Sequence, residues 1–404
     1  MTYINAVKYL NSLSNTVASL DSSRKVLSLL SDESKQPRAI HICGADGKNS
    51  CQRMLSSILV DSGYTVGVFA LPITDDLREA ILINGKPVSY ERFAETVKRI
   101  SVKFAALEDG TLPSFDEALC IAALLCFEEE GCDVAIFEKS LRKNDAANLS
   151  EPPLVSIISS MGNTDLNTVD FSDILRRGTR ETVTSPQHKD VYNAISESCA
   201  DIGSRLTLPI YSELCITKIN LFKTCFSYGN VEYSVRAFSP CQTVNAITVI
   251  EAANALVRVG MNISTENVVS GIASTTLPYK CEALSVEPTI IVSNASTEER
   301  FPSLVASIAQ INEFITGDVF IAIDENCLID TEKMVSYLTS CGTAPKSISK
   351  LSRSMTSSKL TKELSGMISP LLSESNMNSA LILIAKKDFA PHLADIIRKV
   401  LGRV

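Results

Sequence analysis

The sequence predicts an α/β protein built on parallel sheets and divided into two domains. Three observations lead there. Short apolar runs of the buried-strand type alternate with segments of helical period. A loop containing two glycines and a lysine, "GADGKNS" (Gly44–Ser50), joins the first such run to a helix. The alternation restarts near Leu277 and Pro278, and 404 residues exceed what one ordinary core accommodates.

Taken in order, residues 2–30 carry apolar positions at helical spacing and form a helical preamble. "RAIHICG" (Arg38–Gly44) is a short buried strand. From Asn49 a helix follows, with Met54, Leu55, Ile58 and Leu59 on one face and Gly63 as its stop. "YTVGVFAL" (Tyr64–Leu71) is the next strand. "SFDEALCIAALLCFEEEG" (Ser114–Gly131) opens on a capping serine and is a largely buried helix. "DVAIFE" (Asp133–Glu138) and "LVSIISSMG" (Leu154–Gly162) are parallel-type strands. Residues 206–238 suggest a small antiparallel patch around "YGN", and a long helix covers about 244–259. Beyond Pro278, "TIIVSN", "DVFIAID" and "ALILIA" are strands separated by helices. The Ser/Lys-rich stretch Ser347–Ser358 is expected to be a surface region or mobile loop. The resulting division is 1–276 and 277–404.

The loop at 44–50 has the parts that hold a phosphate. Glycines let the backbone turn its N–H groups inward, a lysine reaches outer phosphates, and a hydroxyl holds Mg²⁺. Gly44, Gly47, Lys48 and Ser50 supply these in the spacing G-x-x-G-K-x-S, between a strand and a helix. An incidental strand-to-helix turn is the competing reading, and the flanking elements favour nucleotide binding. Nucleotide-bound Mg²⁺ also needs carboxylates, which in an open parallel sheet sit at the carboxyl ends of strands. Glu138 ends one strand and Asp165 follows the next, so Ser50, Glu138 and Asp165 are the candidate metal ligands.

Composition removes several classes. A formal net charge of −8 leaves no basic surplus for nucleic acid or an anionic membrane. The longest apolar runs are about half the roughly 20 residues of a membrane span, and the N-terminus lacks the basic start and apolar run of a signal peptide. A cytoplasmic location is expected. The twelve cysteines lie scattered in apolar segments without a CxxC pair, as buried thiols do. Of the three histidines, His41 lies within the strand before the loop, where packing or a hydrogen bond is expected.

Several segments, in order, carry a resemblance. "HICGADGKNS…ILVDSGYTVGVFALP", "INGKPVS", "FDEALCIAALLCFEEEGCDVAIFE", "NDAANL", "PPLVSIISSMG", "CQTVNAITVIEAANAL" and "LPYKCEALSVEPTIIVSNAS" resemble the folylpolyglutamate synthase/dihydrofolate synthase family of the Mur ligase superfamily. The resemblance implies a P-loop-containing Mur-ligase-type ATPase domain with a parallel sheet, plus a smaller C-terminal Rossmann-like α/β domain. It implies ATP and Mg²⁺ as cofactors, and a ligase that joins glutamate to a folate-like acceptor through an acyl phosphate, as a monomer without nucleic-acid or membrane partners. By position, Gly44, Ala45, Asp46, Gly47, Lys48, Asn49 and Ser50 would hold phosphates. Gln242 and Asn245 would match the nucleotide-facing pair of the family's "HQxxN" segment, and Lys48 and Glu138 would carry the chemistry.

The departures fall near that chemistry. The family's "GLGGRLDATN" is "SLRKNDAANL" (Ser140–Leu149), which keeps Asp145 and Asn148. Asp165 stands where the resemblance implies a metal-binding histidine, and the modified lysine of "EKAG" has no counterpart near "RRGTRE" (Arg176–Glu181). The histidine of "HQ" is Cys241, "DGAHN" is "SNAST", and the substrate-side "TSPHL" is "ALPIT". Arg176, Arg177, Lys280 and Arg300 are the cations available to replace lost charge. Two readings follow: a divergent ATP-dependent carboxylate–amine ligase, or a nucleotide-binding paralogue with little turnover that acts through a partner.

Overall fold

A buried apolar run needs hydrogen-bonding neighbours on both edges, and the strands find them in a sheet of eight. They are β1 (Arg38–Cys43), β2 (Val66–Phe69), β3 (Ile81–Ile83), β4 (Lys86–Pro87), β5 (Val134–Glu138), β6 (Val155–Ile158), β7 (Glu181–Thr184) and β8 (Arg205–Thr207), in the order β4-β3-β2-β5-β1-β6-β7-β8. The computed structural model describes all residues except 15–19, 71–75, 109, 142, 163, 295–300, 374–375 and 403–404. Pairing is parallel from β2 to β8, while β3 and β4 run antiparallel at one edge. That edge hairpin was not expected. Asn84 and Gly85 both take positive φ, 48° and 75°, the geometry that a two-residue hairpin of the Asn-Gly type requires.

This sheet belongs to a compact unit made of Met1–Tyr211 and Asn245–Thr275. Its helices are α1 (Tyr3–Asn11), α2 (Asp21–Leu30), α3 (Lys48–Asp61), α4 (Tyr90–Ala105), α5 (Phe115–Glu129), α6 (Phe171–Ile174) and α7 (Lys189–Ile202), with α9 (Thr265–Ser274) and most of α8 (Pro240–Arg258). The apolar sequence of α5 explains its place: Ala118 to Phe127 are all buried. Ser114 and Glu117 close a capping box at its start, satisfying donors that the helix leaves unpaired. The long helix begins at Pro240, earlier than expected, because proline is tolerated in the first turn. Close packing of α3 on α9 needs Gly271, where a Cβ would lie 2.6 Å from Ile58 Cα.

The second unit comprises Ser212–Val244 and Thr276–Val404. The expected division at 276/277 leaves Ser212–Val244 with the first domain, whereas this stretch packs with the C-terminal residues: Leu221 and Phe238 join the core formed by Ile291, Ile321 and Ile382. It carries the antiparallel sheet of β9 (Leu214–Asn220), β10 (Lys223–Tyr228) and β11 (Val231–Val235), as anticipated around "YGN". A second sheet holds β12 (Glu282–Val286), β13 (Thr289–Ser293), β14 (Val319–Asp324), β15 (Ser347–Leu351) and β16 (Ala380–Ile384), ordered β12-β13-β16-β14-β15. Alternate residues face opposite layers. Ile291, Ile321 and Ile382 pack on α10 (Phe301–Ala309) and α11 (Thr331–Ser340), while Val292, Ala322 and Leu383 meet α12 (Ser357–Ile368) and α13 (Ala390–Leu401).

Residues 347–358 lie at the surface apart from Leu351, as one of the two expectations had it, but they are ordered elements rather than a loop throughout: Ser347–Leu351 form β15 and α12 starts at Ser357. β15 is an edge strand paired only with β14, so its side chains stay largely polar while Leu351 is buried. Edge position hides a strand from a search for apolar runs.

Candidate phosphate-binding site

The site starts where β1 ends. Gly44 adopts φ +129°, and a Cβ there would lie 2.3 Å from Ser159 Oγ. Gly47 adopts φ +89°, and its Cβ would lie 2.5 Å from Asn245 Oδ1. Both glycines are therefore required twice, by backbone conformation and by close approach. Between them, the N–H groups of Ala45 and Asp46 donate to the Ser160 carbonyl at 2.8 and 3.0 Å, which pins the turn to the end of β6.

Gly47 is the N-cap of α3, with no side-chain cap. Among the described residues, the N–H groups of Gly47, Lys48, Asn49 and Ser50 have no protein acceptor. Four donors at the positive end of a 14-residue helix form an anion site. Ser50 is 1% exposed, and its Oγ has no hydrogen-bond partner. A buried hydroxyl left unpaired is costly unless a ligand completes it. Lys48 Nζ lies 3.4 Å from Glu138 Oε1, with the two side chains 24% and 16% exposed. β5 adjoins β1 in parallel register, Ile42 opposite Glu138, and this alignment delivers the carboxylate to the loop.

The other anticipated residues divide. Asn245 is buried beneath Gly47, where Cys51 Sγ also approaches its carbonyl at 3.8 Å. Gln242 is buried in the first turn of α8, its N–H on the Ser239 carbonyl at 3.0 Å. Asp165 is not brought to the loop: it is exposed, caps a short turn and accepts from Asn167 N and Nδ2 at 3.0 and 2.9 Å. Among the described residues it makes no bond to Ser50 or Glu138, and no three His, Cys, Asp or Glu side chains cluster as a metal site. Asp145 caps the turn Ala146–Leu149 and accepts from Ser140. Arg176 Nη1 donates to the Ser150 carbonyl at 2.5 Å, and Arg177 is exposed. Lys280 is half-buried in the second unit. Arg300 and most of "ALPIT" and "SNAST" lie outside the described residues.

Two cations went unnoticed in the sequence. Lys139 directly follows Glu138 and is fully buried, donating to Asn148 Oδ1 at 2.6 Å and to the Asp173 carbonyl, with the Asp173 carboxylate at 3.4 Å. Burial lowers its pKa, with Asp173 opposing that shift. A lysine closing an apolar strand was the available signal. Arg53 lies on α3, where its Nε donates to Asn49 Oδ1 at 3.3 Å. His41 is buried as expected, with Nε2 2.8 Å from Ser150 Oγ. Burial, then the charges of Lys139 and Arg176, hold its pKa well below the ordinary histidine value. Among the described residues no helix is long and apolar enough to cross a membrane.

No family model matches the chain. It is 26% identical over 317 residues to the dihydrofolate synthase/folylpolyglutamate synthase of Bacillus subtilis, a match covering 71% of each chain. The apo form of Lacticaseibacillus casei folylpolyglutamate synthase shares its fold at a TM-score of 0.80 and 19% identity, with both chains fully covered. A folylpolyglutamate synthase complex with AMPPCP and folate superposes with a TM-score of 0.77 at 19% identity, covering 99% of this chain and 100% of the other. Along most of its length the chain is thus similar to dihydrofolate synthase/folylpolyglutamate synthase, and its sheets and the loop between β1 and α3 follow the fold of the solved folylpolyglutamate synthases.

Proposed function

We propose that the chain is an ATP-dependent carboxylate–amine ligase that joins glutamate to a folate-like acceptor. The observation that carries this reading is the buried, unpartnered Ser50 hydroxyl beside four free backbone donors, with Lys48 and Glu138 paired 3.4 Å apart at the same loop. The B. subtilis relative's name and the complex with AMPPCP and folate support the choice of substrates. Gly44 to Ser50 would cradle the phosphates, with Asn245 supporting the loop from below. The residues fit a divalent cation, because an orphaned hydroxyl and a carboxylate are oxygen donors of the kind Mg²⁺ takes. Ser50 and Glu138 would hold it, whereas Asp165, exposed and capping its own turn, stays apart from them. When bound, Mg²⁺ would neutralise charge on the transferring phosphoryl group.

The reaction balances in two displacements. An acceptor carboxylate oxygen bonds the terminal phosphorus as the bond to ADP breaks. The amine nitrogen of glutamate then bonds the acyl carbon, phosphate leaves, and the amine loses a proton. Lys48 and the helix N-terminus stabilise the charge that develops on the phosphoryl oxygens.

The test is phosphate release from ATP in the presence of Mg²⁺, glutamate and a panel of pteroates and folates, with Lys48→Ala alongside. Release that requires both acceptor and amino acid and is lost in Lys48→Ala supports the ligase. Nucleotide binding without release above that variant would transfer the chain to the nucleotide-binding reading.

A further inference from the structure

Arg53 is the cation near the loop that the phosphate site does not use. Helical side chains lean toward the N-terminus, and Arg53 follows that lean: its Nε reaches Asn49 Oδ1, one turn back, at 3.3 Å. The guanidinium therefore sits against the first turn of α3, at the end where the helix dipole is positive and Lys48 also projects. A cation is repelled there. Among the described residues the Asn49 bond is its only hydrogen bond, and no carboxylate stands within ion-pair distance. Glu79 acts on it only from beyond contact, and burial pushes its pKa down from the ordinary arginine value. Two Nη groups thus remain unused on a largely desolvated guanidinium. Such a group is completed by a planar anion that accepts two parallel N–H bonds.

We propose that Arg53 is the receptor for a carboxylate of the acceptor substrate, beside the phosphate loop and separate from the groups that hold nucleotide. The inference rests on the ligase reading of the same site. Arg53 is a binding determinant here, and it brings the acceptor beside the phosphoryl group without handling that group itself.

The whole chain, loaded with AMPPCP and Mg²⁺, is titrated calorimetrically with folic acid and with its dimethyl ester. Arg53→Met should weaken folic acid binding by about 10- to 100-fold, the range of a charge-assisted hydrogen-bonding pair, and keep AMPPCP affinity within about twofold. Arg53→Lys should recover part of the loss, and the ester should bind wild type and Arg53→Met alike. Retained AMPPCP binding also shows that the variants fold. Equal losses of AMPPCP and folic acid would overturn the proposal by assigning the guanidinium to nucleotide. Equal folic acid binding by wild type and Arg53→Met, or no folic acid binding by wild type, would overturn it as well. Failure of the ligase reading is seen separately, as AMPPCP binding that Lys48→Ala leaves unchanged.

Discussion

Lys48 Nζ and Glu138 Oε1 lie 3.4 Å apart, and the two residues come from different elements, the start of α3 and the end of β5. The pair is largely buried, and the cost of desolvating both charges offsets much of their attraction. Its value lies in placing a cation and a carboxylate where phosphate and metal would meet.

Lys48→Ala should lower AMPPCP affinity by about 10- to 100-fold, since it removes a charge-assisted contact, with a small change in melting temperature. Glu138→Gln should act differently. The gain in AMPPCP affinity on adding Mg²⁺ should largely disappear, while metal-free binding stays the same or tightens. Titration calorimetry with and without Mg²⁺ measures both, and an undiminished Mg²⁺ effect in Glu138→Gln would remove it from the metal site.

Gly47→Ala should destabilise the first unit by about 2–4 kcal/mol. Left-handed backbone costs alanine about 1–2 kcal/mol, and the contact at 2.5 Å with Asn245 Oδ1 adds an overpacking cost. Asn245→Ala in the same chain should return the overpacking part and leave the backbone part. Urea unfolding of both single variants and the double variant separates the two terms. Strict additivity would contradict the contact.

His41 imposes a pH dependence whose sign follows from its lowered pKa. The unfolded chain takes up a proton below about pH 6.5, while the folded chain, with His41 buried and facing the charges of Lys139 and Arg176, does not. Stability from this residue is therefore complete above that pH and falls as pH drops, by at most about 1.4 kcal/mol per unit. Urea midpoints at pH 7.5 and 5.5 should differ less in His41→Gln than in wild type; an unchanged difference would refute the assignment.

In the second unit, Asp324 is fully buried and accepts three bonds from Arg353, two from Nε and one from Nη2, and one each from Lys386 N and Asn326 N. Arg353 also reaches Asp388. Arg353→Met should cost about 3–5 kcal/mol, because it strands a buried carboxylate. Adding Asp324→Asn should restore part of that. Loss of less than about 1 kcal/mol in the single variant, by urea unfolding, would show that the pair is dispensable.

Elements whose physics is local were legible in the residues alone. β1, β5, β6, β13, β14 and β16 announced themselves as apolar runs, α5 by its cap and burial, and the loop at Gly44–Ser50 by its residue types between a strand and a helix. Other features depend on neighbours distant in the chain. Glu138 meets Lys48 because β5 pairs with β1, and Asn245 fits under Gly47 because α8 returns to the first unit. Asp165, at a strand end like Glu138, stays exposed in a turn closed by Asn167. β15 was hidden by its polar edge position. Residues 212–244 joined the second core because Leu221 and Phe238 bury their apolar surface there. Residue type and period report a segment's own preference, whereas pairing register and long-range burial belong to the folded chain as a whole.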